Sequence, residues 1–288
     1  MSSNAATQRG AAGVPTRVIA ITSGKGGVGK TTLSINLAVA MAGIGKRVCL
    51  LDADLGLANV DVMLGLKPLR NLSHVVAGET ELADVIIEGP GGIRILPGAS
   101  GIPDMAALPA AARAGLIYAF SELSAETDVL LIDTAAGIAD STMQFCQAAQ
   151  EILVVICDEP ASIADAYATI KVLSQRFARH RFRVLVNMAG GPGEGLALFD
   201  RLLAVTDRFL DVTLELVGTI PLDPRVRDAA RQRSPLLDRF PSSPAALALK
   251  KLAATTDKWP RPAQATGAVE FFVERVVGVG EEGRYARA

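Results

Sequence analysis

Four glycines and two lysines fall within nine residues, Gly24-Lys25-Gly26-Gly27-Val28-Gly29-Lys30-Thr31-Thr32, a spacing that suits phosphate chemistry. Glycines at 24, 26, 27 and 29 let successive backbone N–H groups curl around a polyphosphate, and a helix starting behind them adds partial positive charge. Lys30 then reaches the β and γ phosphates. Thr31 offers a hydroxyl to a magnesium ion that bridges phosphate oxygens and keeps most of its waters. A glycine-rich loop that merely turns the chain is the alternative; the fixed positions of lysine and hydroxyl favour phosphate. Asp52 and Asp54 stand two residues apart after Val48-Cys49-Leu50-Leu51, and Asp133 closes Val129-Leu130-Leu131-Ile132. Beside a phosphate loop, Asp54 can orient an attacking water, Asp52 can sit near magnesium and Asp133 can hold the water shell of the ion. Without the loop, the first pair reads as a strand cap and turn, and Asp133 as an ordinary strand end. Asn187 ends Val184-Leu185-Val186 with an amide donor and acceptor, which suits an adenine edge; capping its own loop is an equal reading from spacing alone.

These residues need a scaffold that brings them to one edge. Arg17 to Ser23, Arg47 to Asp52, Ile93 to Pro97, Val129 to Asp133, Ile152 to Cys157 and Phe182 to Asn187 all read as buried strands. Leu33, Leu37, Ala40 and Met41 recur at helical spacing after the loop; further helices are expected at about residues 109 to 124 and from Ser162 to about Arg176. Alternating strand and helix predicts an α/β fold with a doubly wound, mostly parallel sheet, whose ligands lie at the carboxyl ends of the strands. Thr134-Ala135-Ala136-Gly137 then lets the chain come close to the γ phosphate.

The chain of 288 residues is long enough for one large core, and half of its residues are apolar. A formal net charge of −1 gives no global attraction to nucleic acid or anionic membrane. Cys49, Cys146 and Cys157 show no metal-ligand spacing and read as reduced core residues of a cytoplasmic protein. Residues 1–16 form an expected flexible arm without the apolar stretch of a signal peptide, and no run reaches transmembrane length. The domain is expected over 17–256, a Pro/Ala/Thr-rich linker over 257–267, an amphipathic helix over 268–278 and a tail over 279–288. In that helix Val269, Phe272, Val273, Val276 and Val277 share one arc, with Glu270, Glu274 and Arg275 facing away. It can dock on protein or lie on a membrane. Arg225, Arg227, Arg231 and Arg233 spread around their helix, with only Arg227 and Arg231 on one face; this favours a solvated or partner-facing helix over a DNA-binding one.

Lys25 is surplus to an ordinary phosphate loop. Its placement resembles the deviant Walker A signature, K-G-G-x-G-K-[ST], of the MinD and ParA family of dimerising ATPases. The resemblance implies a P-loop NTPase that binds Mg·ATP, with Lys25 crossing to the ATP of a partner subunit in a nucleotide-sandwiched homodimer. Asp52 to Asn59 is similar to the family's D-x-D-x-G-x-x-N segment, which implies that Asp54 positions water and that the segment acts as a first switch. The same resemblance implies that Asn187 reads the base, that Pro221 within Gly218 to Asp223 packs on adenine, and that the terminal helix targets the inner face of the cell membrane. Gly89 to Ile102, Met105 to Leu108, Asp133 to Ile138, Asp158 to Tyr167 and Glu270 to Arg275 look like the FlhG (FleN) branch, regulators of flagellar number. That branch implies the FlhF GTPase and a FleQ-type transcriptional activator as partners; DNA is not expected as one. Met1 to Val14 lacks the Asp-Gln-Ala activator helix that many of its members use to stimulate FlhF. A chromosome-partition or division-site ATPase is the alternative within the family, and an ATP-dependent enzyme that activates a small acid is the alternative outside it.

Overall fold

A computed structural model describes residues 15–54, 59–98, 118–120, 122–123, 126–191, 193–260 and 273. The chain opens on β1 (Arg17–Ser23), turns through the glycine loop into α1 (Lys30–Ala42) and returns as β2 (Val48–Ala53). Short helices α2 (Val60–Leu64), α3 (Leu72–Val76) and α4 (Leu82–Val85) lead to β3 (Ile87–Glu88) and β4 (Arg94–Leu96). Then follow β5 (Val129–Ala136), α5 (Asp140–Ala148), β6 (Glu151–Ile156), α6 (Pro160–Phe177), β7 (Arg181–Ala189) and α7 (Glu194–Phe209). The last described elements are β8 (Thr213–Pro221), α8 (Pro224–Arg231), α9 (Leu236–Arg239) and α10 (Pro244–Asp257).

The eight strands form one sheet in the order β3-β4-β2-β5-β1-β6-β7-β8. Every pairing is parallel except β3 with β4, at the edge. β1 is central because its side chains are apolar on both faces: Val18 and Ala20 enter one cluster, Ile19 and Ile21 the other. The first cluster is closed by α5, α6 and α7 through Met143, Ile170 and Leu198, and the second by α1 and α10 through Leu37 and Leu249. This is the doubly wound α/β architecture expected from the sequence.

Two differences from the sequence expectation have local causes, and three helices are new. β5 continues through Thr134 to Ala136 because Thr134 and Ala136 still pair with neighbouring strands. β8 was not among the strands expected, because at this edge of the sheet Thr213, Glu215 and Thr219 interrupt its apolar run. Helices α5, α7 and α10 are additions to the elements expected. The expected helix at 109–124 lies largely outside the described residues, as do the N-terminal arm and most of the 268–278 helix; Val273, the one described residue there, is 2% exposed within the first cluster.

At the amino ends of the strands, Arg183 is 1% exposed and bonds Glu151 at 2.8 Å and Glu215 at 2.6 Å, while its guanidinium stacks 4.0 Å from the Trp259 ring centre. Arg17 donates to the carbonyls of Thr256 and Trp259. The start of the segment read as a linker is therefore packed: Asp257 ends α10 and Trp259 is buried. The nucleotide residues lie at the opposite, carboxyl edge.

Candidate functional site

The loop from Gly24 to Gly29 connects β1 to α1 at the carboxyl edge of the sheet. Val28 is buried and anchors it, whereas Gly26 and Gly27 face solvent. A Cβ on Gly24 would lie 2.1 Å from the Asp165 carbonyl carbon, so glycine there lets the loop rest on the backbone of α6. Gly29 has φ +87°, and a Cβ there would also meet Asn187 Nδ2 at 2.6 Å. The loop is thus held from two sides by elements far away in sequence.

The two lysines are placed differently. Lys30 is 9% exposed and its ammonium donates to Ser23 Oγ at 2.9 Å; burial pulls its pKa below the usual lysine range, opposed by the charges of Asp133 and Asp54. Lys25 has a side chain 37% exposed and is ion-paired with Glu159, the residue before α6; the hydrogen bond it donates to Glu159 raises its pKa. Ser23 connects the two, since its hydroxyl also donates to the Lys25 carbonyl at 2.6 Å.

Asp133 sits beneath the loop, 1% exposed, and accepts from Ser34 Oγ at 2.8 Å and from Thr31. Burial pushes its pKa up to about 7 despite those bonds. Its neighbour across β2–β5 is Asp52. Asp52 accepts backbone N–H bonds from Asp54 on one oxygen and from Asn59 and Val60 on the other, at 2.9 to 3.2 Å. This carboxylate gathers both ends of the loop carrying Asp54; burial raises its pKa. Asp54 itself lies close enough to Lys30 and Asp52 to act on both charges.

The donor set fits magnesium. Thr31 and Asp133 supply hard oxygens from the first turn of α1 and from within β5, and a buried carboxylate whose pKa is raised is short of positive charge. No group of three or more His, Cys, Asp or Glu that could cage a metal occurs among the described residues. An ion held by few protein groups and by phosphate oxygens is magnesium's habit.

Beside the loop opens a cleft of about 570 Å³ lined by Gly29, Thr32, Asn187, Met188, Pro221 and α8 residues including Arg227 and Arg231. Asn187 donates its amide N–H to the Val28 carbonyl at 2.8 Å, tying the cleft to the loop. Met188, at φ +57°, turns the chain away after it. Glu194 accepts from Gly190 and Gly191 and holds that turn. Asp223 caps α8 and also accepts from Ala245 of α10, fixing the wall that bears Pro221.

The structure therefore brings together Lys30, Thr31, Asp52, Asp54 and Asp133 at one end, and Asn187 and Pro221 at the other, with Lys25 on the rim. The four arginines of the α8 region diverge: Arg227 and Arg231 line the cleft, Arg225 stacks on Phe240 and the stem of Arg233 rests on Gly65. Sequence reasoning missed Ser23, Ser34 and Glu159. Ser34 had a signal, four residues after Lys30 on one helix face; Glu159 had none, because its partner is 134 residues away.

Residues 19–236 match the CobQ/CobB/MinD/ParA nucleotide binding domain. The chain is 57% identical to the antiactivator FleN of Pseudomonas aeruginosa over 263 residues, covering 91% of this chain and 94% of that protein. It is 35% identical to the flagellum site-determining protein YlxH of Helicobacter pylori, covering 76% and 74%. Its fold is similar to that of the septum site-determining protein MinD of Pyrococcus horikoshii, solved with Mg-ADP, at a TM-score of 0.66 and 29% identity, covering 84% of this chain and 96% of that one.

Proposed function

The chain belongs to the CobQ/CobB/MinD/ParA nucleotide-binding family, and from that premise we propose that it is a switch that pairs on ATP, resets on hydrolysis and restrains flagellar assembly. It is an ATPase that uses ATP with magnesium. Magnesium, when bound, would supply positive charge that offsets that of the phosphates. Thr31 and Asp133 would hold the ion. Asp52, which would stand near the ion, ties down Asp54 and Asn59 through their backbone N–H groups, so that Asp54 can orient water for attack on the γ phosphorus. The backbone N–H groups of Gly24, Gly26, Gly27, Val28 and Gly29 cradle the phosphates, Thr32 borders them, and Lys30 stabilises charge on the transferring group. One N–H of the Asn187 amide is donated to the Val28 carbonyl, which fixes the amide and leaves Oδ1, with the second N–H, for the base. An acceptor there takes the N6 amino group of adenine and opposes the O6 of guanine. Pro221 packs on the ring.

One observation carries the switch reading: one lysine points inward and is buried, the other stands on the rim and is half-exposed. A single triphosphate already served by Lys30 does not need the second, whereas a twin's does. ATP can favour the pair only by binding it more tightly than the lone chain, so hydrolysis removes the preference. The test is particle mass in solution with a non-cleavable ATP analogue. Wild type is expected at twice the chain mass and Lys25→Ala at the chain mass; persistent pairs in the variant would overturn the reading.

The relatives support the setting: one is named an antiactivator and another a flagellum site-determining protein. A FleQ-type transcriptional activator and the FlhF GTPase are the proposed partners, and the inner face of the membrane the proposed location of the pair. Cells lacking the chain should carry supernumerary or misplaced flagella, restored by wild type and not by Lys25→Ala.

A further inference from the structure

We propose that Glu159 is a latch within the chain: it holds Lys25 on its own subunit and sets the ATP threshold at which the protein pairs. The inference rests on the reading that Lys25 serves the twin's triphosphate. Lys25 cannot do so while its ammonium is bound to Glu159. The contact is shaped by the fold, because Gly24 rests on the α6 backbone at Asp165 and so lays the next residue against the start of that helix. Glu159 occupies the N-cap position of α6 but makes no side-chain cap bond, so its carboxylate is spent on Lys25 and not on helix stability.

A release route is built beside it. Lys30 donates to Ser23 Oγ, and that same hydroxyl donates to the Lys25 carbonyl. A triphosphate arriving in the loop draws the Lys30 ammonium to its oxygens and leaves the Ser23 hydroxyl without its cationic partner. The tie to the Lys25 backbone then weakens, and the side chain is free to exchange one carboxylate for the more highly charged phosphates of the twin. Both partners are well exposed, the side chains 37% and 53%, so the latch is a bias and not a lock. Exposed ion pairs shift equilibria by up to about fivefold, the right size for a threshold.

The test follows pairing by particle mass as a non-cleavable ATP analogue is titrated, with wild type, Glu159→Gln, Glu159→Asp and Lys25→Ala. Glu159→Gln is expected to halve-saturate pairing at roughly two to five times less analogue than wild type, with Glu159→Asp between them. Raising the salt should close the gap, since screening opens the latch in wild type too. An unchanged or higher midpoint in Glu159→Gln, with Lys25→Ala unpaired, would overturn the latch alone. Wild-type pairing in Lys25→Ala would remove the parent reading and the latch with it. Should the glutamine variant fail to fold, the aspartate variant decides by the same criterion.

Discussion

Asp133 is a carboxylate buried under a phosphate loop and bonded by the Ser34 and Thr31 hydroxyls, and its pKa of about 7 makes the stability of the nucleotide-free protein sensitive to pH. The folded value lies above the unfolded one, so this group's contribution to stability is complete below about pH 4 and is lost as pH rises to about 7. Over that window the slope approaches one proton, about 1.4 kcal/mol per pH unit, and above it the curve is flat. Urea unfolding of the nucleotide-free protein at several pH values should show that fall, and Asp133→Asn should remove it. Asp54 makes a different prediction, because its task is in the reaction: Asp54→Ala should keep ATP affinity and lower turnover about 10²-fold or more, read by phosphate release. Asn187→Ala should lose about tenfold in ATP affinity and lose discrimination against GTP, measured by competition binding. The grouping at this scale was legible where it is contiguous: Lys30, Thr31, Asp54 and Asp133 each sit in a short run that suggests the role proposed for it, and the fold brings them together. Ser23 and Glu159 were not legible, because a serine before a loop or a glutamate before a helix acquires meaning only from what the fold sets opposite it.

Gly24 is where two elements touch. Glycine in the phosphate loop reads from sequence as room for phosphate, yet at position 24 the nearest atoms are the backbone of α6, at 2.1 to 2.2 Å from an added Cβ. Gly24→Ala must part the loop from the helix, a backbone shift that costs about 1–3 kcal/mol. A lower urea midpoint with weakened ATP binding is expected; a fully stable, ATP-competent variant would show that the contact has no such role. The same distinction explains which elements could be read. β1, β2, β5, β6 and β7 are apolar on both faces and announce themselves as runs. The start of β8 is partly exposed and carries Glu215 for Arg183, so its pattern is diluted by a charge that belongs to the neighbouring strand. The region from 64 to 98 looked irregular because it consists of helices of four or five residues and a two-residue edge strand, each too short to display a period.

The whole molecule joins a nucleotide edge to a carboxyl-terminal segment rooted at the other end of the sheet. Arg17 and the Arg183–Trp259 stack fix the end of α10 there, so the segment leaves from a point that nucleotide does not touch. Among the described residues no helix is long and apolar enough to cross a membrane, so the proposed membrane contact falls to the apolar arc at 269–277, whose Val273 is buried in the first core cluster and has to leave it for the arc to meet lipid. One arc of that length binds weakly, while two on a pair act together through effective concentration. With two glutamates against one arginine on the polar side, the helix gains nothing from anionic lipid. Vesicle sedimentation should therefore show wild type pelleting with a non-cleavable ATP analogue and remaining soluble without it, on neutral and anionic vesicles alike. A chain stopped before Ala268 should pair normally yet stay in the supernatant, and Lys25→Ala, which keeps the segment and is expected not to pair, should stay there as well. If the truncated chain pelleted like wild type, the segment would not be the anchor; if Lys25→Ala did, membrane contact would not depend on the pair.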